Sequence, residues 1–322
     1  MRMRNATGRM TRFWAALGCT LLMAGAQAAG PVQTTQVPGY YRHAVGGFQL
    51  TALHDGQLEI DPKLLKNASP QQLQALLSES FRKSPTPTAV NAYLVNTGDK
   101  LVLVDTGAGR LFGPTLGRAF ANLKAAGHEP AQIDAVLLTH LHGDHVGGLI
   151  DEQGGMALPN AEIHVAKKEA DFWLNPEVMA KAPKEAQPFF QAAQKAVAPY
   201  REAGRLKIFD GEAELLPGVR AVATPGHTPG HTSFLFSSKG EQVLVWGDII
   251  HSAAVQFARP KVTIEFDTDA KTAAATRERV LADTAKRRLL VTGAHLPFPG
   301  IGHVRAERGA YTWVPIDFSS MP

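Results

Sequence analysis

Short apolar runs alternate with amphipathic stretches along most of this chain of 322 residues. Phe48 to Leu53, Ala92 to Val95 and Leu101 to Val104 read as strands, the last ending in a Val104-Asp105-Thr106-Gly107 turn. Pro114 to Ala126 has helical spacing, with Leu116, Phe120 and Leu123 on one face and Gly127 as a stop. Ile133 to Leu138 is a continuous apolar strand, residues 162–165 another, and 187–200 a helix. The second half repeats the style. Strands are expected near 206–209, 219–223, 232–236 and 242–247, then a helix over 270–286 and a strand at 289–292. Residues 30–46 form a lead with Pro and Gly and no assigned element. Strands in both halves with outer helices predict an α/β sandwich of two mixed sheets flanked by helices, not one doubly wound sheet.

The first 29 residues stand apart from that pattern. Arg2, Arg4, Arg9 and Arg12 make a basic start, Phe13 to Ala24 is an apolar run too short for a membrane span, and Ala26-Gln27-Ala28 is a cleavage signature. Residues 1–29 are therefore expected to be a cleaved signal peptide, 30–322 a single domain, and the mature protein periplasmic or secreted. The peptide carries four arginines and no acid, so the formal net charge of +4 belongs to it. A near-neutral mature chain excludes nucleic acid and, after cleavage, a membrane surface as partners on charge grounds. Cys19, the one cysteine, leaves with the peptide, so neither a disulfide nor a reactive thiol remains. A chain that is 44% apolar supports one large packed core.

The chemistry concentrates where the strand Ile133–Leu138 ends. Residues 139–148 read Thr-His-Leu-His-Gly-Asp-His-Val-Gly-Gly, placing His140, His142, Asp144 and His145 within six positions. Imidazole nitrogen and carboxylate oxygen suit Zn²⁺ and equally Mn²⁺, Fe²⁺ or Co²⁺. In a chain leaving a strand, positions i and i+2 point the same way, so His140 and His142 can grip one ion. Asp144 and His145 lie past the turn and can face a second.

Partners follow downstream. Thr224-Pro225-Gly226-His227-Thr228-Pro229-Gly230-His231 is stiffened by two prolines and two glycines. It offers His227 as the third ligand of the first ion, with His231 bonding inside the loop. Asp248 closes the apolar strand Val243 to Trp246 and is read as a bridging ligand, and His295 ends the strand of Val291 and Thr292. A closed structural zinc site uses four protein ligands; an asymmetric set with open positions points to catalysis over metal storage.

These four separated motifs resemble the metallo-β-lactamase superfamily over most of the mature chain. The resemblance implies an αββα sandwich and two divalent ions, zinc first among them. It implies His140, His142 and His227 on one ion, Asp144, His145 and His295 on the other, and Asp248 between them. With no cysteine ligand, the set resembles the superfamily's dinuclear hydrolases. The implied reaction is hydrolysis by a metal-bridging hydroxide, without a side-chain nucleophile. Asp144 is a candidate proton shuttle as well as a ligand, and Asp248 acts through its position between the ions.

Longer stretches, among them Asn91 to Gly98, Leu111 to Arg118, Glu169 to Trp173, Ala254 to Phe257 and Phe298 to His303, look like the methyl parathion hydrolase group. That group includes organophosphate triesterases and relatives acting on lactones and aryl esters such as dihydrocoumarin. The resemblance implies an aromatic pocket from Phe112, Trp173 and Phe189, and is compatible with a homodimer. Leu65, His251 and Phe266 depart from the triesterase pattern, where arginine, leucine and leucine are expected. A polar His251 and a bulky Phe266 favour a flat ester over a tetrahedral phosphate. The expected substrates are thus small lactones and aryl esters, with organophosphate triesters slower. A dedicated triesterase and an acyl-homoserine lactone lactonase are the alternatives. The last would need a long apolar channel, which the aromatic residues do not suggest.

Overall fold

The computed structural model describes residues 30–320. The proposed signal peptide lies outside them. Residues 30–37 carry no helix or strand, and a compact unit begins at Pro38. Among the described residues, no helix is long and apolar enough to cross a membrane.

Two seven-stranded sheets make the frame. The first follows chain order: Tyr40–Val45, Phe48–Ile60, Thr86–Asn96, Leu101–Val104, Ala135–Leu137, Glu162–Ala166 and Leu206–Phe209. Its first four strands pair antiparallel, and the remaining pairs are parallel. The second sheet runs Ala310–Pro315, Ile301–Glu307, Leu290–Thr292, Glu241–Val245, Thr232–Ser238, Val219–Ala223 and Glu214–Leu216. Only Glu241–Val245 and Leu290–Thr292 pair parallel there. Both sheets are mixed, as expected.

Side-chain alternation builds the layers. Val102 and Val104 face the second sheet, meeting a core that includes Phe234, Phe236, Val243 and Val245. Between them Leu103 points the other way, into a core shared with Phe190, Val197 and Tyr200 of the helix Gln187–Glu202. Leu244 and Val291 turn outward from the second sheet onto Val280 and Leu281 of the helix Ala270–Arg287. Helix, sheet, sheet and helix are thus separated by three apolar cores.

Two expectations about the elements change. The lead contains the edge strand Tyr40–Val45, whose mixed exposure hides it from a pattern reading. The helix expected from Pro114 starts only at Ala119. Gly117, at φ +85°, comes so close to Gly109 that a Cβ would sit 2.2 Å from its carbonyl oxygen, so the segment before Ala119 is a turn and not a helix.

Candidate metal centre

The proposed ligands all lie at strand ends or in loops where the two sheets meet. Ala135–Leu137 delivers His140 and His142, and the single turn Gly143–Val146 presents Asp144 and His145. Gly147 and Gly148 allow that turn to seat against the loop after Val104. A Cβ on either would lie 2.0 or 2.2 Å from the carbonyl oxygens of Ala108 and Thr106. From the second sheet, His227 follows Val219–Ala223, Asp248 follows Glu241–Val245 and His295 follows Leu290–Thr292.

Their donor atoms converge in the groups expected. His140, His142 and His227 form one set able to hold an ion, and Asp144, His145 and His295 another. His142 Nδ1 lies 3.0 Å from His227 Nε2. Asp248 stands between: Oδ2 is 3.6 Å from His140 Nε2, 3.3 Å from His227 Nε2 and 3.1 Å from His295 Nε2, while Oδ1 is 3.3 Å from His145 Nε2. Asp144 Oδ2 is 3.5 Å from both His145 and His295.

The donors fit metal ions. His140 Nε2, His145 Nε2 and Asp248 Oδ1 are buried without a hydrogen-bond partner, a costly state unless a bound ion completes them. Burial, then neighbouring imidazoles, holds His140 and His142 well below the ordinary histidine value, so both rings stay in the neutral, ligating form. Burial opposes charge on His145 too, but Asp248, Asp144 and Asp105 outweigh it and push its pKa well above the ordinary histidine value. The carboxylates therefore make the site favourable to positive charge.

A second ring of residues, not read from the sequence as functional, holds the ligands in place. Asp105 Oδ2 is 2.9 Å from His145 Nδ1, and the same carboxylate accepts from the Thr139 amide and hydroxyl. Asp267 Oδ1 is 2.9 Å from His227 Nδ1, and the Ala89 carbonyl is 2.9 Å from His295 Nδ1. Such partners select the tautomer that turns the other ring nitrogen to a metal. Asp105 closes an apolar strand just as Asp248 does, which is the signal that could have found it. Asp267 has no comparable signature. His231 bonds within its loop, at 2.9 Å from Thr224 Oγ1, and its Nε2 also accepts from the Asp248 amide at 3.0 Å.

Over the centre lies a mainly apolar cavity of about 820 Å³, reached by His142, Asp144, His227, Asp248 and His295. Phe112, Trp173, Phe189, His251 and Phe266 line it. Phe112, Phe189 and Phe266 are substantially exposed, at 45%, 40% and 42%, so they form walls open to an occupant and not core. His251 Nε2 lies 3.1 Å from Asp248 Oδ2 and its ring stacks on His295, which brings it into the donor cluster itself. Leu65 is the correction. Its strand pairs with Thr263–Ile264 and turns it into the core with Ile60, Leu73 and Ile264, while the preceding Leu64 lines the cavity.

Comparison with known proteins agrees with this geometry. The chain is 42% identical to a solved hydrolase of the beta lactamase superfamily, AbOPH, covering 89% of this chain and 100% of that one with a TM-score of 0.85. AidC, a dizinc quorum-quenching lactonase solved with a product, is 29% identical over 88% of this chain and 99% of its own, with a TM-score of 0.82. Among curated proteins, the N-acyl homoserine lactonase of Bacillus thuringiensis is 29% identical over 166 residues, 46% of this chain and 58% of its own length. The chain thus spans little more than half of that relative. Residues 85–295, which hold every proposed ligand, match the sequence profile of the metallo-beta-lactamase superfamily, and the chain belongs to that superfamily.

Proposed function

We propose that this protein is a dinuclear metal hydrolase, with zinc the first choice of metal, that opens lactones and cleaves aryl esters, and hydrolyses organophosphate triesters more slowly. The observation that carries the reading is the convergence of seven buried or nearly buried His and Asp donors at the floor of a large apolar cavity. His140, His142 and His227 would hold one divalent ion and Asp144, His145 and His295 a second, with Asp248 lying between the two sets, and such ions would supply an acidified water and polarise the carbonyl or phosphoryl oxygen of the substrate. The protein's own contribution is positioning. Phe112, Trp173, Phe189 and Phe266 bury an apolar substrate body and exclude water, while its ester group meets the donors below. Asp144, the most solvent-accessible of the donor carboxylates, reaches the cavity and is placed to pass a proton to the departing oxygen. The leader-like first 29 residues support export to the periplasm or beyond.

N-acyl homoserine lactones are a second reading, and one observation favours them. The aromatic residues suggested no room for an acyl tail, yet the cavity also has an aliphatic wall of Leu58, Ile60, Leu64 and Val178. At about 820 Å³ it exceeds what a bicyclic lactone would fill. AidC and the Bacillus thuringiensis relative are lactonases of this kind by name.

Paired kcat/KM values for dihydrocoumarin, hexanoyl and decanoyl homoserine lactone, and methyl parathion test the proposal on metal-loaded protein. A lactone or aryl ester as the best substrate supports it. A large excess for methyl parathion overturns the ranking, and no hydrolysis of any of them overturns the hydrolase reading.

A further inference from the structure

Glu169 is buried, only 1% exposed, in the first turn of the helix Lys167–Trp173, and its hydrogen bonds go to residues other than the proposed ligands. Its Oε1 accepts the amide of Leu141 at 2.9 Å, the residue between His140 and His142. Its Oε2 accepts the Thr228 hydroxyl at 2.7 Å and the Gly230 amide at 2.9 Å, just past His227. Both oxygens of one side chain are therefore committed to the two separate loops whose imidazoles form the first donor set. The approach is close enough to require glycine at 230, where a Cβ would sit 2.2 Å from the Glu169 nitrogen. The second donor set is held by other groups, Asp105 behind His145 and the Ala89 carbonyl behind His295.

We infer that Glu169 is a positioning residue selective for one of the two metal sites: it fixes the distance between the His140–His142 loop and the His227 loop, and so sets the affinity of their shared ion. The inference rests on the metal-centre reading above. All three neighbours of the carboxylate are donors, so a glutamine of the same shape must turn its NH₂ toward at least one of them. The ligand loops would then shift apart without the loss of any ligand, and Asp144, His145 and His295 would keep their own supports.

The test is titration of Co²⁺ into metal-free wild type, Glu169→Gln and Thr228→Val against a chromophoric chelator, reading the number of sites, each affinity and the visible spectrum. Wild type is expected to hold two ions. Glu169→Gln should keep one site near wild-type affinity and weaken the other at least about tenfold. The weakened band should be the one that His142→Asn removes. Thr228→Val, which deletes only the hydroxyl donor, should show a smaller loss at the same site, and it decides the matter if Glu169→Gln does not fold. Unchanged affinities, or equal weakening of both sites alongside a lower Tm of the metal-free protein, overturn the inference by leaving Glu169 a merely structural role. A wild type that binds no Co²⁺ overturns instead the metal-centre reading beneath it.

Discussion

Asp105 Oδ2 and His145 Nδ1 lie 2.9 Å apart, both side chains buried, and Asp105 holds this contact from a left-handed backbone conformation at φ +58°. Aspartate tolerates that region better than most residues, and strain of this kind persists where surrounding structure demands it. Here the demand is threefold, since Asp105 also accepts the amide and hydroxyl of Thr139, next to His140. Asp105→Ala would strand the Thr139 amide in the core and free the His145 ring. The expected cost is about 2–4 kcal/mol of stability in urea unfolding. Metal affinity should fall roughly 10- to 100-fold by chelator competition. Asp105→Asn, which keeps one acceptor, should lose less of both. A variant that binds metal like wild type would show that His145 needs no such orientation.

Metal removal should be felt by the whole fold. Asp144 and Asp248 are held charged chiefly by surrounding imidazoles, against the penalty of burial, and three donor atoms in the cluster have no partner. An ion that binds only the folded state at a hundred times its Kd adds about 2.7 kcal/mol. For a chain of this size that corresponds to a Tm increase of roughly 4–5 °C per ion. Scanning calorimetry of metal-free protein with added Zn²⁺ checks this, and an unchanged Tm would count against a metal centre.

Val178, on the helix Pro176–Lys181, belongs to the aliphatic wall of the cavity and lies away from the donors in sequence. Val178→Trp should fill acyl-tail space while leaving the floor intact. Its kcat/KM for decanoyl homoserine lactone is expected to drop about tenfold or more, with less than about a threefold change for dihydrocoumarin. Equal losses on both substrates would mean that long chains do not use this wall.

The proposed metal ligands are legible in the sequence for a physical reason. Each closes an apolar strand or sits in a loop stiffened by Pro and Gly, so local pattern alone marks it. The groups that orient them are not. Asp105 acts on a residue 40 positions away, as does Asp267, and Glu169 ties together loops 28 and about 60 positions away. No local periodicity encodes a contact of that range, and it appears only when the sheets bring the loops together. The sheet strands were readable where both faces are buried, as in Leu101–Val104, and unreadable at the edge, where Tyr40–Val45 mixes exposed and buried positions. Leu65 shows the limit of assigning a pocket residue by resemblance: one step along the chain, from Leu64 to Leu65, separates the cavity from the core.

The last prediction concerns the charge on Glu169. Burial pushes its carboxyl up from the ordinary 4.5 to about 7, against the pull of its three donors. In the unfolded chain the same group ionises near the ordinary value. Between pH 4.5 and 7 the folded state therefore binds a proton that the unfolded state has lost, and stability falls as pH rises. The stabilisation is full below pH 4.5, is lost as pH rises to about 7, and levels off above it. Over that window the change is on the order of 3 kcal/mol. Glu169→Gln cannot titrate, so in metal-free protein the stability of wild type minus that of the variant should decline from pH 5 to pH 7.5. The difference cancels the histidines and aspartates shared by both proteins. Urea unfolding at the two pH values measures it. A flat difference would mean that the donors from Leu141, Thr228 and Gly230 compensate the burial of the charge in full, and that the carboxylate is held without cost to the fold.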